Sequence, residues 1–108
     1  MLAFTRKNYA PELKYFGDRM TNAQIVEEQR RYVGKWPVRN FRVKREMTRI
    51  VCDKARSLCG VSGVLDFHDV NPAEGKTSDG TAMFEFSVNF TPSGPKIVAE
   101  GGKVISRQ

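Results

Sequence analysis

The chain's two cysteines, Cys52 and Cys59, are the residues whose spacing most directly suggests chemistry. They flank the segment DKARSL in a predicted hairpin, and residues that face each other across a hairpin hold their β-carbons about 4.5–5.5 Å apart. Because a disulfide needs a similar separation, the spacing favours a Cys52–Cys59 bond, with two packed free thiols as the alternative. A disulfide would indicate a periplasmic or secreted protein, and free thiols a cytoplasmic one. Two thiols and one distant histidine cannot complete a zinc shell, so no metal site is predicted.

His68 is the sole histidine, and it lies in the segment Asp66-Phe67-His68-Asp69. An aspartate beside a histidine can supply a general base. Strand alternation argues against that role, because it puts residues 61, 63, 65 and 67 on the core face and turns Asp66 and His68 to the opposite face, beside Glu85. The sequence has no second histidine for a Ser-His-Asp or Cys-His arrangement. We therefore predict no catalytic residue, and we favour a protein that is not an enzyme.

A helix that begins at Thr21 and ends before Pro37 is the element that must position other side chains. Thr21 and Gln24 match a capping box, in which the threonine hydroxyl accepts from the Gln24 backbone N–H and the Gln24 side chain reaches back. Glu27 and Arg31 are predicted to pair on the solvent side. The core side is one apolar face at helical spacing, with a glutamine as its only polar member: Ile25, Val26, Gln29, Tyr32, Val33 and Trp36.

The rest of the chain alternates polar and apolar residues with the period of a β-strand. Residues 1–10 look like the tail of a helix, and residues 13–16 like a short strand. About four long strands follow, over residues 38–44 (continued by 48–52), 58–70, 81–90 and 97–105, with residues 71–80 as a polar loop. The predicted fold class is α+β, with a curved antiparallel sheet packed on one main helix.

The charge balance is basic, because 18 Lys and Arg residues against 12 Asp and Glu residues give a net charge of +6. Ten of the basic residues fall between Arg30 and Arg56. Such a cluster can attract nucleic acid, an anionic surface or an acidic partner, or it can simply form the solvated outer face of a sheet. The sequence has no Gly-rich phosphate loop and no zinc-finger spacing, so specific nucleic-acid binding is not expected. No apolar stretch is long enough to span a membrane.

Four segments of the chain carry a family resemblance: Tyr9–Gly17 (YAPELKYFG), Arg31–Arg39 (RYVGKWPVR), Val61–Phe67 (VSGVLDF) and Ile97–Ile105 (IVAEGGKVI). Together they resemble a bacterial, uncharacterised branch of the nuclear transport factor 2-like superfamily, to which SnoaL-like and ketosteroid-isomerase-like proteins belong. The resemblance extends over nearly the whole chain. It implies a cone-shaped domain whose curved sheet holds a pocket against the helices.

The pocket that the resemblance implies has five candidate lining residues, Tyr15, Gln29, Tyr32, Trp36 and Phe67, and needs no cofactor. With no catalytic constellation in view, we predict a non-catalytic ligand-binding or protein-binding domain of a bacterial envelope or exported protein. One alternative is a small pocket enzyme, isomerase-like or dehydratase-like, acting on an apolar ligand. A second alternative is an unspecific, salt-sensitive binder of nucleic acid or of an anionic surface.

The N-terminus departs from the family pattern. The superfamily normally opens with one or two full helices, whereas about ten residues precede the first predicted strand here. We therefore expect residues 1–108 to form a single domain whose N-terminal helices are missing. A sheet left uncovered would expose apolar side chains, so we expect a homodimer, or a partner protein, to cover it.

Overall fold

A bent sheet with a helix laid across one end forms the architecture of the chain, and the computed structural model describes residues 1–107. The helices are α1 (Leu2–Asn8) and α2 (Asn22–Lys35), with a short 3₁₀ helix at Arg45–Met47. The strands are β1 (Tyr9–Tyr15), β2 (Asp18–Thr21), β3 (Val38–Val43), β4 (Arg49–Asp53), β5 (Leu58–Asn71), β6 (Lys76–Thr91) and β7 (Gly94–Arg107).

The strands form one sheet in the order β2-β1-β7-β6-β5-β3, and β4 also pairs with β5. All pairs are antiparallel except β1 with β7, which is parallel, so the sheet is mixed. The predicted α+β class, with a curved sheet on one main helix, is confirmed. The strand count is seven rather than about four, because the 3₁₀ helix divides β3 from β4 and the short β1 and β2 join the sheet edge.

The predicted polar loop at residues 71–80 is wrong in its extent. Only residues 72–75 turn, with Gly75 at φ 63°, and β6 already begins at Lys76. The polar residues that suggested a loop belong to β6, which pairs regularly with β5: Lys76 lies opposite Asn71 and Gly80 opposite Phe67. Because ladder hydrogen bonds come from the backbone, polar residues can continue a strand wherever its faces meet water.

The helix α2 begins as the sequence predicted. Both hydrogen bonds of the Thr21–Gln24 capping box are present. The predicted core face is confirmed, since Ile25 and Val26 are buried and the other four members are partly buried. One detail differs: Glu27 lies 3.3 Å from the Arg30 guanidinium, one residue before the predicted Arg31.

The hydrophobic core is small and lies at the α2 end of the sheet, where Tyr9, Leu13 and Ile25 pack together. Far from this cluster the sheet leaves large apolar side chains in solvent, and Ile50 and Val51 on β4 are 66% and 74% exposed. Similar exposure, at 42–52%, is found on β3 and β7 for Val38, Phe41, Val43, Val104 and Ile105. The isolated chain therefore leaves much of the apolar surface of its sheet open to solvent.

Two glycines allow β6 and β7 to approach each other closely. A β-carbon on Gly80 would lie 2.3 Å from the Ser106 carbonyl oxygen and 2.7 Å from the Phe67 ring. Gly102 has φ 151°, and a β-carbon there would lie 2.2 Å from the Met83 carbonyl oxygen. Between these two positions the β6–β7 pairing shifts its register, an irregularity of the kind that bends paired strands.

The disulfide between Cys52 and Cys59 is present and joins facing residues of β4 and β5. Within residues 1–107, no helix has the length and apolar character that crossing a membrane requires.

Candidate ligand-binding cavity

A cavity of about 580 Å³ lies between α2 and the face of the sheet that carries Leu65, Phe67 and Asp69. We call that face the inner face, and the face that carries Asp66 and His68 the outer face. The cavity has the size of a small-molecule site in other proteins, about 300–1,000 Å³. The elements that shape it are α2 above and the bent ladder of β5, β6 and β7 below.

The five predicted pocket residues all lie on the wall of this one cavity. Gln29 and Tyr32 line it from α2, Trp36 from the position directly after α2, Tyr15 from the end of β1, and Phe67 from β5. The apolar part of the wall also includes Phe41, Leu65, Ala82 and Val104. The structure thus brings the five residues together, while their role in binding a ligand stays a prediction.

Asp69 is a site residue that the sequence reasoning missed. It is 4% exposed, and its Oδ2 accepts a 2.6 Å hydrogen bond from the Tyr32 phenol. Its Oδ1 has no hydrogen-bond partner within residues 1–107. Burial, followed by the bond to Asp69, raises the pKa of Tyr32 well above its usual value, so the phenol remains a donor. Strand alternation placed residues 61, 63, 65 and 67 on the core face. The next residue in that series is Asp69, so the same pattern would have found this carboxylate.

A second acidic group, Glu100 on β7, also lies on the cavity wall. The Tyr9 phenol donates a hydrogen bond to its Oε1. Burial raises the pKa of the Glu100 carboxyl above its usual range, with the bond from Tyr9 acting in the opposite direction. Burial, with the nearby charges of Glu100 and Glu28, raises the pKa of Tyr15 to about 12. The cavity therefore holds neutral phenols beside carboxyl groups.

Gln29 is fixed in place by α1. The Thr5 hydroxyl, which is 1% exposed, donates a 2.6 Å hydrogen bond to Gln29 Oε1. Asn22 ties the same helices together, because its Nδ2 lies 3.0 Å from the carbonyl oxygens of Thr5 and Tyr9. Gln29 also acts on Tyr15, where it opposes the rise of the phenol's pKa.

The other polar candidates lie outside the cavity. His68 is on the outer face, as predicted, but its partner is Asp79 of β6 and not Glu85. The β5–β6 register explains the correction, since it sets His68 opposite Asp79 and Glu85 opposite Ser62. Asp66 accepts a 2.7 Å bond from Thr81. No group of three or more potential metal ligands is found among residues 1–107.

The outer face has a concavity of its own, of about 610 Å³, lined by Lys14, Arg49, Ser62 and Glu85 among others. Its volume is close to that of the inner cavity, but its charged side chains Lys14, Arg49 and Glu85 are exposed to solvent. The inner cavity is the better candidate site, because it combines aromatic walls with a buried carboxylate oxygen that has no partner within residues 1–107.

The basic cluster of residues 30–56 spreads over α2, β3, the 3₁₀ helix and β4. Several of its side chains already have partners: Arg30 with Glu27, Lys44 with Asp66, Arg56 with Asp53, and Arg39 with the Trp36 carbonyl oxygen. Surface pairs of this kind contribute little stability, about 0–1 kcal/mol each, but they reduce the positive charge that remains free to attract an anion.

These features define a class of α+β domains in which a half-open cavity lies between a helix and a bent sheet. No protein-family model matches the chain, and no curated protein matches it significantly.

Solved structures do match. A nuclear transport factor 2-like superfamily protein from Salmonella enterica has a TM-score of 0.82 at 16% identity over 97% of this chain and 78% of its own. The Kfla4162 protein from Kribbella flavida has a TM-score of 0.79 at 12% identity over 96% and 76%. A Caulobacter vibrioides protein described as having a cystatin-like fold has a TM-score of 0.77 at 9% identity over 97% and 76%. The chain has the nuclear transport factor 2-like fold, which confirms the resemblance indicated by the sequence.

Proposed function

We propose that the protein is a non-catalytic binding domain that takes a small, largely apolar ligand into the cavity between α2 and the inner face. The observation that carries this proposal is the convergence of Tyr15, Tyr32, Trp36 and Phe67 with one buried carboxylate, Asp69, on one cavity of about 580 Å³. Ligand sites typically combine such apolar walls with a few polar groups that fix orientation.

A ligand screen tests the proposal. Trp36 is the only tryptophan and lies on the cavity wall, so its fluorescence and the amide NMR spectrum should both respond to a bound compound. We expect hits among neutral and charged aromatic fragments, with the largest shifts on α2, β5 and β6. Ala82→Leu, which adds bulk inside the cavity, should weaken binding, while Met83→Leu at the next, exposed position of the same strand should not. A screen without hits, or hits that ignore Ala82→Leu, would contradict the proposal.

We further propose that the domain works in the bacterial envelope or outside the cell. The Cys52–Cys59 disulfide supports this, since such bonds persist in oxidising compartments. Trapping of free thiols in intact cells that express the natural gene provides the test. We expect both cysteines to resist alkylation until a reductant is added, and rapid alkylation of both would argue for the cytoplasm.

A homodimer, or a partner protein on the open part of the sheet, is the finer form of the same proposal. It is supported by Ile50 and Val51, adjacent exposed side chains that leave apolar area open on the edge strand β4. Contiguous exposed apolar area usually marks an interface. Sedimentation of the purified chain at high micromolar concentration tests the homodimer, and a strictly monomeric mass there would count against it.

A second candidate is a small pocket enzyme, and Asp69 is the observation that favours it. Its Oδ1 has no partner within residues 1–107 and is buried at the wall of the cavity, where a carboxylate that a substrate reaches can act as a general base. Isomerase or dehydratase activity on an apolar carbonyl compound, lost in Asp69→Asn and kept in Asp66→Asn, would support this candidate. Binding without turnover across such compounds would favour the non-catalytic domain.

A further inference from the structure

The free oxygen of Asp69 restricts the chemistry of the ligand. The carboxylate is 4% exposed, and Tyr32 supplies one hydrogen bond to Oδ2, so within residues 1–107 Oδ1 is a buried acceptor without a donor. An unsatisfied charged acceptor is costly, because it has lost its water and gained no protein donor in exchange. A ligand that brings a hydrogen-bond donor to Oδ1 would recover that free energy, whereas a ligand with only acceptors would not.

Carboxyl groups outnumber cationic side chains on the cavity wall, with Glu28, Asp69 and Glu100 against Lys35 and Arg107. Glu28 and Glu100 both act on the Tyr15 phenol, and Asp69 acts on Tyr32, in each case raising the phenol's pKa as negative charge does. Arg39 lies opposite Asp69 in the β3–β5 register. Its positive charge lowers the pKa of the Tyr32 phenol, but by less than burial and Asp69 raise it. Its guanidinium is engaged elsewhere, donating to the Trp36 carbonyl oxygen at 2.8 Å.

Two cationic side chains on the cavity wall, those of Lys35 and Arg107, lie at exposed positions and have contacts of their own. The Lys35 ammonium sits 5.7 Å from the centre of the Trp36 ring, and Arg107 donates a 3.1 Å hydrogen bond to the Ser78 hydroxyl. The lysine contact also shows that the Trp36 ring accepts a cation on its face, as the negative face of an aromatic ring commonly does.

From these observations we infer that the cavity takes a protonated amine that carries an aromatic or branched apolar group and keeps at least one N–H. The inference rests on the proposed function and deepens it. The N–H donates to Asp69 Oδ1, and because that oxygen is closed off from solvent in the unliganded chain, neighbouring side chains shift when the ligand binds. The aromatic walls formed by Tyr32, Trp36 and Phe67 pack against the apolar group. A charge-assisted hydrogen bond of this kind is about twice as strong as a neutral one.

Four probes of similar shape separate the contribution of the ligand's positive charge from that of its hydrogen-bond donor. Phenethylamine is a cation with N–H groups, phenethyl alcohol is a neutral donor, trimethylphenethylammonium is a cation without N–H, and hydrocinnamate is an anion. Affinities for the intact wild-type chain are measured by amide NMR and by Trp36 fluorescence at fixed salt. We expect phenethylamine to bind about tenfold more tightly than the alcohol, and more tightly than the trimethyl compound, with hydrocinnamate weakest.

A matched pair of variants tests whether Asp69 is the residue that accepts the hydrogen bond from the amine. Asp69→Asn should lower the affinity for phenethylamine about tenfold and leave the alcohol within about threefold. Asp66→Asn, three residues earlier and on the outer face, should change neither. If Asp69→Asn fails to fold, the wild-type probe series decides the matter alone.

The outcomes distinguish the claim that the ligand is a protonated amine from the claim that the cavity binds a ligand at all. The inference would be overturned if the alcohol or the trimethyl compound bound as tightly as phenethylamine, or if hydrocinnamate bound more tightly. Each of these results would still leave a ligand-binding cavity. Binding of none of the four probes would also overturn it, and the broader fragment screen would then decide whether the cavity binds any ligand.

Discussion

The Tyr32 phenol on α2 donates a 2.6 Å hydrogen bond to the Asp69 carboxylate on β5, and this bond fastens the C-terminal half of the helix to the sheet. A second contact reinforces it two residues along the strand, where Asn71 Nδ2 donates to the Lys35 carbonyl oxygen at 2.9 Å. The N-terminal half of α2 is held by the small apolar core. The cavity lies between these two attachments, so its shape depends on both.

Tyr32→Phe should destabilise the protein by about 1.5–3 kcal/mol, because it removes the donor to a buried charged acceptor. Urea unfolding followed by circular dichroism gives the free energy. A double-mutant cycle with Asp69→Asn should show a coupling of at least about 1 kcal/mol. Additive effects of the two substitutions would mean that the bond contributes nothing specific.

Glu100→Gln should flatten the pH dependence of stability. Burial raises the pKa of Glu100 in the folded protein above that of the unfolded chain, so the folded state binds more protons between those two values. The free energy of unfolding contributed by this group therefore falls as pH rises from about 4.3 through the raised pKa. The glutamine side chain in this variant cannot titrate, yet its amide oxygen still accepts from Tyr9.

Urea unfolding at a series of pH values, from about 4 to 7, measures this difference in slope. Glu46→Gln, at an exposed position on the 3₁₀ helix, is the control, because it shows how the loss of one glutamate charge alone changes the slope. The prediction fails if the slopes of wild type and Glu100→Gln coincide across the range.

Two glycine-to-alanine substitutions should change stability in opposite directions. Gly34 lies in α2, and a β-carbon there would meet only open space, so alanine should stabilise the helix by about 0.5–1 kcal/mol. Gly80 is pressed against the Ser106 carbonyl and the Phe67 ring, so alanine should cost about 1–3 kcal/mol. Thermal unfolding distinguishes the two, and a neutral Gly80→Ala would show that β6 and β7 can move apart freely.

Replacing both cysteines by serine should loosen one end of the sheet and leave the cavity unchanged. The bond closes a short loop, for which the chain-entropy estimate is about 2.5 kcal/mol. Hydrogen exchange should rise in β4 and in the paired first residues of β5. Probe affinities should stay at the wild-type value, because no residue of β4 lies on the inner cavity wall within residues 1–107. A loss of binding in this variant would connect the disulfide to the site.

The helix was predictable because its determinants are local. The capping box and the apolar face are encoded within a few residues of each other, and both appear in the structure. The long strands were equally accessible through their alternation. The extent of the loop before β6 was not, because the polar run from Lys76 to Gly80 pairs with β5 through its backbone.

The parallel pairing of β1 with β7 joins residues as distant in sequence as Tyr9 and Ile97, and no local pattern indicates it. The same distance hid the acidic groups of the cavity. Glu100 meets Tyr9 only because that pairing forms, and Asp69 meets Tyr32 only because α2 crosses β5. The aromatic wall could be anticipated from the resemblance, whereas its carboxylates depend on long-range contacts.

The β1–β7 ladder also sets the order in which the molecule can assemble. The hairpins of β5, β6 and β7 can form from neighbouring stretches of chain, but β1 and β2 have no partner strand on the sheet until β7 is available. Closing that long loop is slow compared with forming a hairpin. The β1–β2 hairpin must therefore wait for β7 before it can extend the sheet.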